Sequence, residues 1–116
     1  MTRVLVIDDD LGIRRLARLV LAEAGYDVAL AAHGQEALTL LSKGDTDVIV
    51  LDLNMPVMDG YTFVHNLDDV PRRPPIIILS GDRAERARDE LGADASLRKP
   101  FRPDELVSKV AELTRS

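Results

Sequence analysis

Three short runs in this chain are apolar at every position, and each stops abruptly at a polar group. Val4-Leu5-Val6-Ile7 ends at Asp8-Asp9-Asp10, Val48-Ile49-Val50-Leu51 at Asp52, and Ile76-Ile77-Ile78-Leu79 at Ser80-Gly81. A strand apolar on both faces must be covered on both faces, as happens in a parallel sheet sandwiched between helices. The segments between the runs carry the spacing such helices need. Leu11, Ile13, Leu16, Ala17, Val20, Leu21 and Ala24 recur at helical intervals, with Gly25 closing the helix. Residues 35–42 place Ala37, Leu38 and Leu41 on one face, and 59–67 form a shorter helix opened by Asp59 as N-cap. Residues 83–91 hold a thin Ala84, Ala87, Leu91 stripe, and 104–113 present Leu106, Val107, Val110 and Leu113. Asp27–Ala31 and Ala95–Arg98 read as two weaker strands, and the prolines in 71–75 require a loop. Strict strand–helix alternation predicts an α/β, doubly wound five-stranded parallel sheet with helices on both faces, as one domain over 1–116.

Composition narrows what such a domain can do. With no cysteine, disulfides, thiolate zinc sites and a catalytic thiol are excluded together. A net charge of −5 makes the chain a poor non-specific ligand for nucleic acid or an anionic membrane. Aromatics are 3% with no Trp, too few for a base-stacking platform. No apolar run approaches the ~20 residues of a membrane span, and Met1-Thr2-Arg3 leads straight into the first strand without a leader. The expectation is a soluble, cytoplasmic domain that binds neither nucleic acid nor membrane directly.

In open parallel sheets the functional crevice lies beyond the carboxyl ends of the strands. The residues that follow the strand-like runs are Asp8-Asp9-Asp10, Asp52, Ser80 and Lys99, so carboxylates, a hydroxyl and a cation gather at one edge. Carboxylates packed this closely repel one another unless a cation intervenes. An all-oxygen donor set suits a hard ion, Mg²⁺ (or Mn²⁺ in its place), whose shell a phosphate can complete. Lys99 offers phosphate oxygens a point charge and Ser80 a donor. Metal, lysine, hydroxyl and a carboxylate nucleophile are the parts of in-line phosphoryl transfer.

The motifs VLVIDDD (4–10), VIVLDLNMPVMDG (48–60), IIILSG (76–81) and LRKPF (97–101), in this order, resemble the receiver domain of bacterial two-component response regulators over nearly the whole chain. The resemblance implies a flavodoxin-like sheet in the order 2-1-3-4-5. It implies that Asp52 accepts a phosphoryl group from a histidine kinase or phosphotransfer histidine, and that the chain signals to a downstream protein rather than turning over as an enzyme. Asp8 and Asp9 resemble the acidic pair that holds Mg²⁺ together with Asp52 and the backbone carbonyl of Asn54. Ser80 looks like the hydroxyl that bonds the phosphoryl group, and Lys99 like the lysine that pairs with it. Pro56, Asp59 and Gly60 match the loop after the acceptor, Gly81 follows the switch hydroxyl, and Lys99-Pro100 is similar to the family's X-Pro bond, cis in most members. One position departs from the pattern. Ser96 stands where receivers commonly carry a Tyr or Phe that turns inward on activation, so a muted or rerouted response is expected.

Several residues have blander readings. Asp10 is read as the N-cap of the first helix rather than a ligand. His33 and His65 lack a partner at ligand spacing and are read as surface or helix-flank residues. Arg14, Arg15 and Arg18 form either a solvated basic face or, by the resemblance, part of a helix that docks the phosphodonor. The charges of 83–91 suggest an exposed helix laced with ion pairs. Three other functions compete with this one. A phosphatase of the haloacid-dehalogenase type needs a second Asp two residues after the nucleophile, and Asn54 stands there. A flavodoxin-like FMN carrier needs a phosphate loop where three aspartates stand. A receiver-like docking module with weak or no switching remains the alternative that Ser96 keeps open.

Overall fold

The computed structural model describes residues 2–53, 60–67, 73–81 and 83–114. Ten elements alternate: β1 (Arg3–Ile7), α1 (Leu11–Glu23), β2 (Asp27–Ala31), α2 (Gly34–Leu41), β3 (Val48–Asp52), α3 (Gly60–Asn66), β4 (Ile76–Ser80), α4 (Ala84–Leu91), β5 (Ala95–Arg98) and α5 (Pro103–Thr114). The strands form one parallel sheet in the order β2-β1-β3-β4-β5, as the resemblance implied.

The apolar runs are split between two cores by the two-residue period of a strand. Leu5, Ile7, Ile49, Leu51, Ile76 and Ile78 face one way, against Ala37 and Leu41 of α2, Phe63 and Val64 of α3, and Ala87 of α4. Val4, Val6, Val48, Val50, Ile77 and Leu79 face the other way, against Ala17 and Leu21 of α1 and Leu106 and Val110 of α5. Each large side chain so buried contributes about 1.5–3 kcal/mol relative to exposure. β3, the central strand, and β4 beside it are buried at all five positions.

Local chemistry sets the helix ends. Asp10 caps α1, its Oδ1 accepting from the backbone N–H groups of Gly12 at 2.8 Å and Ile13 at 3.2 Å. At the other end Tyr26 N–H reaches Leu21 O and Gly25 N–H reaches Ala22 O, the paired bonds of a Schellman turn. That turn requires a left-handed residue, and Gly25 has φ +97°. α2 starts one residue earlier than expected, because His33 caps it: its Nδ1 accepts from Glu36 N–H, and Glu36 Oε1 accepts from Ala32 N–H. α5 also starts one residue early, at Pro103, whose missing N–H costs nothing in a first turn. The Asp59 cap expected for α3 lies outside the described residues. α4 starts one residue after the expected Arg83, which makes no side-chain capping bond.

The expected ion-pair lacing of α4 is present: Arg86 pairs with Glu90, Arg88 with Asp89, and Glu85 with Arg98 of β5. Among the described residues no helix is long and apolar enough to cross a membrane.

Candidate functional site

The parallel register brings the polar strand ends to one edge. Ile7 pairs with Leu51, Asp52 with Leu79 and Ser80 with Arg98, so β3 ends one residue short of Ser80 on the neighbouring strand while Asp8 follows β1. β1 is the strand from which the chain goes first to one side, β2, and then to the other, β3; the crevice above that reversal is the expected site of function. Asp8, Asp52 and Ser80 are the buried polar residues among those described, at 0%, 4% and 3% exposure.

Asp8 is held on every polar group. Its N–H donates to Ala31 O at 3.1 Å, and its Oδ1 accepts from Asp10 N–H at 3.0 Å. Its Oδ2 accepts from Lys99 Nζ at 2.9 Å, and its carbonyl accepts from Arg14 Nη1 at 2.7 Å. Lys99 reaches the site from β5, over β4. Its N–H donates to Ser80 O at 2.8 Å, and its ammonium lies 3.3 Å from Asp52 Oδ1 as well as beside Asp8. Partial burial pulls the Lys99 ammonium down, but the hydrogen bond and charge of Asp8, and then those of Asp52, outweigh burial and hold it above the ordinary lysine value. Strand alternation turns Arg98 the other way, to a two-pronged bond with Glu85, so adjacent cations serve different surfaces.

Asp8, Asp9 and Asp52 each present a carboxylate oxygen, the three lying within 4.8 Å of one another. Asp9 sits at the exposed rim and the other two in the interior. A donor set of carboxylate oxygens, without sulfur or imidazole, fits a hard divalent cation of the Mg²⁺ or Mn²⁺ kind. Lys99 on two of the three carboxylates, with Arg14 turned to the Asp8 carbonyl, leaves the pocket with excess negative charge that such an ion would neutralise.

The other expected positions are distributed around this centre. Gly60 opens α3, Gly81 is exposed just beyond β4, and Lys99-Pro100 is a cis bond. Ser96 is half-buried in β5, opposite Ile78. Asn54, Pro56 and Asp59 lie outside the described residues. Asp10 is a helix cap, as expected, although its N–H also steadies Asp8. Of the three arginines read as a solvated face or a docking surface, the structure turns Arg14 onto the Asp8 carbonyl and leaves Arg15 and Arg18 exposed.

Fold and site together define a doubly wound α/β protein with an acidic, lysine-bridged crevice at its topological switch point. Comparison with known proteins narrows this. The family described as "Response regulator receiver domain" matches residues 4–111. A probable transcriptional regulator ycf27 of Cyanophora paradoxa is 40% identical over 97% of this chain and 48% of its own length. The transcriptional regulatory protein PrrA of Mycobacterium tuberculosis is 40% identical over 97% of this chain and 50% of its own. This chain therefore spans about half the length of the curated relatives it matches. Among solved structures, the chemotaxis response regulator CheY4 of Vibrio cholerae superposes with a TM-score of 0.89 at 36% identity, covering 97% of this chain and 98% of that one. A response regulator protein of Thermotoga maritima, solved in complex with Mg(2+)-BeF, gives 0.83 at 34% identity over 97% of this chain and 99% of its own. The chain belongs to the response regulator receiver domain family.

Proposed function

We propose that Asp52 is a phosphoacceptor, taking a phosphoryl group from a phosphohistidine of a histidine kinase or phosphotransfer protein in a Mg²⁺-dependent step, and that the phosphorylated domain, residues 1–116, acts through contacts with a downstream protein in the cytoplasm. The observation that carries this reading is the burial of Asp52 and Asp8 against one shared lysine, with Asp9 completing a trio of carboxylate oxygens. An Asp52 oxygen attacks phosphorus in line; the P–O bond forms as the P–N bond to imidazole breaks, and the imidazole nitrogen leaves with the bond's electron pair. Asp8, Asp9, Asp52 and the carbonyl of Asn54 would hold the ion, which supplies charge neutralisation to the carboxylates and the incoming phosphoryl oxygens. Lys99, already within reach of the Asp52 oxygen, donates from its ammonium to a phosphoryl oxygen once Asp52 carries the acyl phosphate. Ser80, at the end of the neighbouring strand, donates its hydroxyl to another.

Engagement of Ser80 draws on the loop that begins at Gly81 and on the start of α4. With Ser96 rather than a ring in β5, the response runs through that loop and helix. The chain transmits a state and is not a turnover enzyme.

The test is intact-mass spectrometry after incubation with acetyl phosphate, with Mg²⁺ or with EDTA, on the wild type and Asp52→Asn. The expected result is a single phosphate adduct that needs Mg²⁺ and is absent from the variant. An adduct that persists in Asp52→Asn contradicts the assignment of the acceptor. Absence of any adduct, from acetyl phosphate and from a phosphohistidine donor alike, contradicts phosphorylation and leaves the docking module.

A further inference from the structure

We propose that Arg14 is a positioning residue for the carboxylate trio, setting its affinity for a divalent cation by holding the Asp8 carbonyl. This deepens the proposed function and rests on its metal site. The carbonyl of Asp8 belongs to the peptide plane that joins Asp8 to Asp9, so whatever fixes that oxygen fixes the direction in which Asp9 leaves the backbone. The Asp8 side has other anchors, Ala31 O, Asp10 N–H and Lys99 Nζ. Asp9 is exposed at the rim, where its aim depends on the backbone. The Arg14 Nη1 bond to Asp8 O, at 2.7 Å, holds the peptide plane on the amino side of Asp9, as the Asp10 N–H bond to Asp8 Oδ1 holds the one on its carboxyl side. The guanidinium suits the task because its planar fork of donors is rigid. Its neighbour Arg15, on the same helix, is exposed and offers an internal control.

The placement of Arg14 also works against a purely electrostatic account. A cation near an acidic pocket weakens the binding of another cation, so removing its charge alone would tighten Mg²⁺ binding. Removing a positioning contact loosens it. The two effects have opposite signs, and the proposal commits to the second.

The experiment is isothermal titration of the full chain with MgCl2 at 25 °C and pH 7, for the wild type, Arg14→Met, Arg14→Lys and Arg15→Met. Groups that orient metal ligands commonly change affinity by about 10-fold or more. Arg14→Met is expected to weaken Mg²⁺ binding about 10-fold. Arg14→Lys, which keeps a donor on a long stem, is expected to recover affinity to within about 3-fold, and Arg15→Met to match the wild type. Because every affinity is read on folded protein, a loss of stability alone does not move it. If Arg14→Met does not fold, Arg14→Gln, too short to reach the carbonyl, is expected to show the same weakening. Wild-type affinity in the Met or Gln variant, or tighter binding, overturns the role of Arg14 and leaves the metal site standing. Absence of Mg²⁺ binding in the wild type overturns both.

Discussion

The two ends of the sheet each gather three carboxylates around a bridging cation, in different surroundings. At the amino end Arg3 pairs with Asp27 and Asp45 through its guanidinium, and its N–H donates to Asp47. At the carboxyl end Lys99 bridges Asp8 and Asp52, with Asp9 nearby. In each cluster one cationic side chain pairs directly with two of three neighbouring carboxylates, and at the carboxyl end Arg14 adds a second cation, bonded to the Asp8 carbonyl. At the amino end the side chains of Asp27 and Asp45 are 42% and 50% exposed. At the carboxyl end those of Asp8 and Asp52 are 0% and 6% exposed. Water and salt screen the first cluster, so its excess charge costs little and its ion pairs return little. The second is held away from water, so its repulsion is stored in the fold and is available to any ligand that relieves it. Charge count does not distinguish a staple from a site; burial does.

Removing the cation from each end should separate the two most. Lys99→Met leaves two buried carboxylates without their shared partner, and breaking a buried pair in this way costs about 3 kcal/mol. Urea unfolding at pH 7 in EDTA should show that loss. The sign with pH follows from Lys99, whose folded value is raised. Its stabilisation is fully present below the ordinary lysine value of 10.5 and is lost as pH rises through the higher folded value. The gap between wild type and variant should therefore close above pH 10.5, and a gap that persists there would assign the loss to packing of the lysine stem. Arg3→Ala should lower the melting temperature by no more than about 3 °C, less in 0.5 M salt, as for exposed ion pairs. A larger, salt-insensitive loss would show the amino-end cluster to be as tightly coupled as the site.

The sheet was legible because its signal is redundant. Val48 to Leu51 and Ile76 to Leu79 can only be strands buried on both faces, and the polar residue ending each run marks the crevice. The observed strands take in one residue more, Asp52 and Ser80, because the ladder continues to the functional group itself. Helix ends were less legible where the cap is unusual: His33 accepts through a ring nitrogen and lies outside the usual set of small capping residues. Of the candidate site, Asp8, Asp9, Asp52 and Lys99 are brought together, because each follows or ends a strand. Arg14 was not legible as part of it. Its partner is a backbone carbonyl, and sequence spacing says nothing about which carbonyls a folded chain leaves within reach. Ser96 was legible only as a departure; a half-buried hydroxymethyl in β5 carries no pattern of its own.

The most direct test of the contrast between the two ends is the melting temperature in EDTA and in 10 mM Mg²⁺ for the wild type, Asp52→Asn and Asp45→Asn. For an ion bound with a Kd of about 1 mM, mass action predicts about 1.4 kcal/mol of added stability, or roughly 5 °C. The wild type and Asp45→Asn should both show that rise. Asp52→Asn should melt higher than the wild type in EDTA, since one buried charge is gone, and respond weakly to Mg²⁺. A wild-type melting temperature that is the same in EDTA and in Mg²⁺ would contradict the claim that the carboxyl-end trio stores repulsion for a cation to relieve.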